Sequence, residues 1–142
     1  MLLMKILERT ITLTGGRNGS LKTETSGLEL KMAMPVEMGG KVVPGATNPE
    51  ELFALGYAAC FSSSLEYLLK SERLRYKEIK VVAKTSLINN EATGFHFELD
   101  VALKVVGIEE AILSPYIEKA KAFCPFSKAI KGNVEVRFST LA

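Results

Sequence analysis

The amino-acid sequence predicts an α+β fold, and three observations carry that prediction. From Phe95 to Val105 the residues alternate strictly, with Phe95, Phe97, Leu99, Val101, Leu103 and Val105 on one side of a strand and His96, Glu98, Asp100 and Lys104 on the other. The run from Leu52 to Leu65 is apolar or small at every position, the pattern of a helix enclosed on all sides. The remaining segments read as strands joined by turns, in the order β-β-α-β-β-α-β, with hairpins in place of regular crossovers. At 142 residues the chain is expected to form a single domain over residues 1–142.

Taken in order, the first sixteen residues read as a strand, with Ile6, Ile11 and Leu13 apolar and Thr10, Thr12 and Thr14 alternating around the last two. Gly15-Gly16-Arg17-Asn18-Gly19 follows as a turn, because Asn18-Gly19 tolerates the positive φ of a two-residue hairpin. A second strand is expected near residues 28–34. Pro35 to Asn48 is a long connection with three glycines and two prolines, and connections of that length are usually functional or mobile.

The strongest helix signal comes next. Asn48 suits the N-cap, Pro49 the first helical position, and Glu51 the third residue of a capping box. The helix should reach about Lys70, where Glu66 and Lys70 stand at i,i+4. Ile79 to Leu87 reads as a strand, a turn spans Asn89 to Gly94, and the alternating strand follows. A second helix ends at Phe123 and begins at either Glu109 or Ser114, since Ser114-Pro115 resembles a helix start. Cys124-Pro125 stops it, a short helix can restart at Pro125, and Val134, Val136 and Phe138 form the last strand. Five strands and one other helix cover a long, all-apolar helix poorly in a chain of this size. A homodimer that shares the central helices is therefore expected.

Composition excludes several function classes. The formal charge is +2, and the basic cluster Lys70, Arg73, Arg75, Lys77 and Lys80 is interrupted by Glu72 and Glu78, which argues against nucleic acid. Lys5, Glu8 and Arg9 break any leader-like apolar stretch at the N-terminus, and the uncharged run 52–65 is short for a bilayer. The expectation is a cytoplasmic protein with no membrane contact. The single histidine, His96, lies on the polar face of its strand, so neither a metal centre nor a hydrolytic triad is expected, and no bound cofactor.

Three residues remain with chemistry to offer. Arg17 sits on a tight turn, from which a guanidinium can be aimed inward at an anion. Cys60, surrounded in sequence by Leu, Phe, Tyr and Ala, reads as a packed and inert thiol unless a cation lies near it. It also lies too far into its helix for the N-terminal dipole to help. Cys124 directly precedes a candidate helix start, where free amides favour a thiolate. Local physics alone prefers Cys124 as the reactive cysteine.

The segments GGRNG at 15–19, ATNPEELFALGYAACF at 46–61 and FCPFSKAIKGNVEV at 123–136 together resemble the organic hydroperoxide resistance (Ohr) branch of the OsmC-like family, across nearly the whole chain. The resemblance implies an OsmC/Ohr-like fold, with β-sheets around buried central helices in an intertwined homodimer whose sites lie at the interface. It implies a thiol-dependent peroxidase acting on organic and fatty-acid hydroperoxides. By motif position Cys60 is the peroxidatic cysteine, Cys124 the resolving cysteine, Arg17 the activating arginine and Glu50 the acid that holds it. The reductant implied is an external, lipoyl-type protein dithiol. On this reading Cys60 replaces Cys124 as the nucleophile. The family usually has tyrosine after the Cys-Pro pair where this chain has Phe126.

Val42, Val43, Phe53, Tyr57, Phe61 and Phe126 would supply an apolar lining that prefers a greasy peroxide, with ordinary core packing as the alternative for each. Glu50 precedes Cys60 by ten residues, about 15 Å of helix, and must act through Arg17. Three geometries allow this: the guanidinium spans the gap, the helix bends near Gly56, or the helix starts later than Pro49. A redox sensor or binding protein using the same thiols without turnover is the alternative function, and a structural dimer with incidental core cysteines a third.

Overall fold

A computed structural model describes residues 2–142. They group into two compact units, the first ending at Pro49 and the second spanning Glu50–Ala142.

The first unit is a four-stranded sheet of β1 (Ile11–Thr14), β2 (Ser20–Thr23), β3 (Glu29–Met32) and β4 (Ala46–Thr47), in that spatial order. The first two pairings are antiparallel and β3 pairs β4 in parallel. The hairpin between β1 and β2 turns through five residues, not two, with a single 3-10 turn at Gly16–Asn18. Its glycines are required by space and by backbone. Gly15 has φ 88°, and a Cβ at Gly19 would lie 1.7 Å from the Thr14 carbonyl oxygen. The Asn18 side chain then accepts the Met34 amide at 3.1 Å, tying the turn to the strand end beside it.

Two expectations are corrected here. The first strand covers only Ile11–Thr14 and not the first sixteen residues, because β2 is four residues long and the ladder ends at the Ile11–Thr23 pair. β2 is a strand that the predicted order lacks, since one strand only, near residues 28–34, is expected between the turn and the long connection.

In the second unit, α1 (Pro49–Ser71) runs unbroken for 23 residues. β5 (Glu78–Asn90) and β6 (Gly94–Val106) form a hairpin in continuous register from Glu78–Val106 to Asn90–Gly94. After β6 come α2 (Glu110–Phe123), α3 (Pro125–Ile130) and β7 (Glu135–Thr140), the last pairing β6 in parallel. A parallel neighbour needs a crossover, which α2 and α3 supply, so the unit is not built of hairpins alone. α2 starts at Glu110 and passes through Pro115, where the missing N–H forfeits one bond to the Ala111 carbonyl; Ser114-Pro115 is not the helix start.

Tyr57, Phe61, Leu65 and Leu69 form one stripe of α1 that packs with Leu99, Val101 and Leu103 of β6 and with Leu113 and Ala120 of α2. Each such side chain, once buried, stabilises the unit by about 1.5–3 kcal/mol. Phe61 meets Phe138 at 5.2 Å between ring centroids, and Phe53 meets Phe97 at the same distance. The opposite stripe of α1, through Leu55, Ala59, Ser63 and Tyr67, is exposed on the chain, so the helix is not enclosed on every side as its composition predicts. By length and composition α1 would also reach across a bilayer, but its other stripe is the core of this mixed sheet-and-helix unit.

The second face of the sheet is ionic, as the alternation predicts. Arg137 donates to Asp100 at 2.7 Å and to Glu98 at 3.1 Å, and the Arg137 bond is the main reason the Asp100 carboxyl ionises below its ordinary range. His96 lies on this face, 4.0 Å from Glu98. Among the described residues no three His, Cys, Asp or Glu side chains converge as a metal site.

Candidate active site

Cys60 lies near the middle of α1, and Cys124 is the one extended residue between α2 and α3. The residue before proline avoids helical backbone, so Cys124 takes φ −64°, ψ 121°. Its amide still closes α2 on the Ala120 carbonyl at 2.8 Å, while its own carbonyl accepts the Lys128 amide of α3 at 3.0 Å. The Cys-Pro pair thus folds two helices around one thiol and buries it completely. Across from it, 64 residues away in sequence, Cys124 Sγ–H donates to Cys60 Sγ at 3.4 Å. The two are not joined as a disulfide. Closing them to a disulfide of about 2.05 Å would require roughly 1.4 Å of approach.

Cys60 is half-buried and its sulfur is the acceptor at the centre of the cluster. Burial pushes its thiol above the ordinary cysteine value, and so does the neighbouring Cys124; the Phe126 backbone N–H and the Ser64 hydroxyl pull the other way. Phe126 is the second residue of α3. The helix start that local sequence reasoning assigns to Cys124 therefore offers its amide to Cys60.

Two contacts hold α3 in that position. Tyr57, one turn before Cys60, hydrogen-bonds Ser127 at 2.8 Å, with its phenol raised above the ordinary tyrosine value chiefly by burial. The Phe126 ring lies on Gly56: a Cβ there would come within 2.8 Å of Phe126 Cε1 and 2.9 Å of Cζ. Gly56 is thus the seat of an aromatic ring, and α1 is continuous through it. Gly56→Val is expected to displace the ring and the start of α3, slowing closure of the Cys60–Cys124 disulfide about tenfold when diamide is the oxidant. Loss of thiols over time measures this, and an ångström of misplacement is enough for such an effect.

Of the sequence-predicted site residues, the structure brings Cys60, Cys124, Tyr57 and Phe126 together. Phe61 is fully buried on the core stripe against Phe138 and presents no surface, and Phe53 packs on Phe97. Glu50 stands in the first turn of α1. Because the helix starts at Pro49 without interruption, the ten residues to Cys60 amount to about 15 Å, and a late helix start is ruled out. Arg17, Val42 and Val43 belong to the first unit: Arg17 is the central residue of the 3-10 turn, and Val42 and Val43 lie exposed in the segment before β4. Sequence reasoning missed Ser64 and Ser127, and took Gly56 as a possible bend. The signal for Gly56 and Ser64 was spacing, each being four residues from Cys60 on one helix face.

Comparison with known proteins gives this chain its relatives. Residues 39–139 match the family model of OsmC-like proteins. The organic hydroperoxide resistance protein OhrA of Bacillus subtilis is 40% identical over 128 residues, covering 89% of this chain and 90% of that one. An organic hydroperoxide resistance protein of Xanthomonas axonopodis pv. citri is 34% identical over 88% of this chain and 87% of its own. The crystal structure of an organic hydroperoxide resistance protein from Elizabethkingia anophelis superposes with a TM-score of 0.89 at 36% identity, covering 97% of this chain and 98% of that chain. With one family model matching residues 39–139 and relatives of this identity aligned over nearly their full lengths, the chain belongs to the OsmC-like family, in its organic hydroperoxide resistance branch.

Proposed function

We propose that the chain is a thiol-dependent peroxidase that reduces organic and fatty-acid hydroperoxides to alcohols. The observation that carries this reading is the approach of the two sulfurs to 3.4 Å, with one thiol buried and the other at the centre of a donor cluster. The Cys60 thiolate attacks the terminal peroxide oxygen; an S–O bond forms, the O–O bond breaks, and the alkoxide leaves to be protonated as the alcohol. Cys60 is left as a sulfenic acid. Cys124 attacks its sulfur, the S–S bond forms, the S–O bond breaks, and water departs. An external dithiol of the lipoyl type then returns both thiols by two-electron exchange.

Arg17 supplies the cation that this sulfur needs at neutral pH and that the departing alkoxide needs as its charge develops, with Glu50 orienting the guanidinium. These two roles rest on motif position. Val42, Val43, Phe53 and Phe126 are the proposed apolar lining, with Tyr57 and Phe61 enclosed in the core behind it; Phe126 has the most direct support because its half-exposed ring lies on Gly56, one turn from Cys60. The functional unit is a homodimer, a reading supported by the exposed stripe Leu55, Ala59, Ser63 and Tyr67 on an otherwise core helix. A single domain over residues 1–142 and a cytoplasmic location complete the proposal.

Consumption of cumene hydroperoxide and of hydrogen peroxide, with a dihydrolipoyl dithiol as reductant, tests it. The organic peroxide is expected to turn over with a kcat/KM at least tenfold higher, the scale on which apolar contacts discriminate substrates. A protein that forms the Cys60–Cys124 disulfide with peroxide yet is not recycled by the dithiol would instead be a redox sensor.

A further inference from the structure

Three serines follow Cys60, and only Ser64 is turned into the core, at 5% exposure among Phe61, Leu65 and Leu69. Packing alone calls for no hydroxyl there, since burying one costs free energy unless it is bonded. Its bond within the helix, to the Cys60 carbonyl at 2.8 Å, is of the kind that slightly weakens helices. Ser64 follows Cys60 by four residues on the same face of α1, so side-chain rotation can carry its hydroxyl from that carbonyl toward the Cys60 sulfur, whose thiol it pulls down. One O–H proton therefore has two acceptors on the same residue.

Which acceptor holds it depends on the charge of the sulfur. A neutral thiol is a weak acceptor and leaves the proton with the carbonyl. A thiolate is a charged acceptor, and charge-assisted hydrogen bonds are about twice as strong as neutral ones. Turning the hydroxyl from one to the other requires only side-chain rotation. We propose that Ser64 is a catalytic donor that swings its hydroxyl from the Cys60 carbonyl to the Cys60 sulfur when the thiol ionises, joining the Phe126 backbone N–H in holding the thiolate. The inference rests on Cys60 being the nucleophile of the proposed peroxidase, and it adds a residue that the family motifs above do not assign.

The test is the pH profile of iodoacetamide alkylation of Cys60 in the full chain carrying Cys124→Ala, so that a single thiol reacts. Ser64→Ala is expected to raise the profile's midpoint by about one pH unit. At neutral pH the thiolate fraction then falls about tenfold, and a Brønsted slope near 0.4–0.5 returns part of that, leaving alkylation roughly threefold slower. Above the midpoint the variant reacts faster than its parent. Ser64→Thr, which keeps the hydroxyl, should restore the parent profile. An unchanged midpoint in Ser64→Ala, whether rates are equal or uniformly scaled, would overturn the proposal, because altered packing changes access without changing acidity. Failure of the underlying reading is seen separately, as a parent chain that does not turn over peroxide with the dithiol, or as turnover that survives Cys60→Ser.

Discussion

Replacing Cys60 with serine is expected to lower turnover of cumene hydroperoxide by on the order of 10³-fold or more, while moving the thermal unfolding midpoint by only a few degrees. Loss of a covalent nucleophile is felt on that scale because no neighbouring group takes over the bond-forming step. A serine at this place keeps nearly the same volume, and the residue is already half-buried, not enclosed. Its oxygen can still accept from the Phe126 amide, so the seat of α3 on α1 survives. Peroxide consumption and circular-dichroism melting, measured on the same preparation, separate the two effects. A cysteine that only filled the core would give a stability change and no catalytic one.

In the second unit the Cys60 thiol sits under opposing influences. There, burial and Cys124 raise the Cys60 thiol, and the Phe126 amide and the Ser64 hydroxyl work against that rise. A nucleophile in that condition needs a cation, which is why the proposed mechanism depends on Arg17. The sequence pattern around Arg17 is consistent with a demanding turn: the glycines at 15 and 19 are required for the chain to close, and the side chain between them is thereby held in a single short loop.

Much of this architecture was legible in the residues. The β6 alternation placed Leu99, Val101 and Leu103 in the core and Glu98 and Asp100 on the ionic face, because a period of two leaves only one solution once one face is apolar. Asn48-Pro49 marked the start of α1 within a residue, and Cys124-Pro125 marked the break between α2 and α3. β2 escaped notice because Ser20-Leu21-Lys22-Thr23 has one apolar residue; the signal that could have found it is that a hairpin turn requires a mate directly after it. Pro115 left the start of α2 open between Glu109 and Ser114, because a proline after serine is a helix start by local preference; the earlier start is the one found, and tertiary packing of Leu113 and Ala120 carries the helix past the proline. At the site, the motif residues were legible but their partners were not. Phe126 pairs with Gly56 and Tyr57 with Ser127 across about seventy residues, and nothing in either local pattern announces the other.

Cys124→Ser is expected to separate the two halves of the reaction. The variant should consume about one equivalent of cumene hydroperoxide per subunit in a fast first phase and about one more in a slower second phase, then stop, whereas the parent continues as long as dithiol is supplied. Without Cys124 the sulfenic acid at Cys60 has no thiol within contact distance, and excess peroxide carries it to the irreversible sulfinic acid, which mass spectrometry of the Cys60 peptide reads directly. Serine at a fully buried position also leaves a hydroxyl to be satisfied, at a cost of about 1–3 kcal/mol, so Cys124→Ala is the companion variant in which the chemistry is the same and that cost is absent. Continued turnover in both variants would mean that the dithiol reduces the sulfenic acid directly. The 3.4 Å approach of the two sulfurs would then be a packing contact, and the buried thiol of Cys124 would have no part in the catalytic cycle.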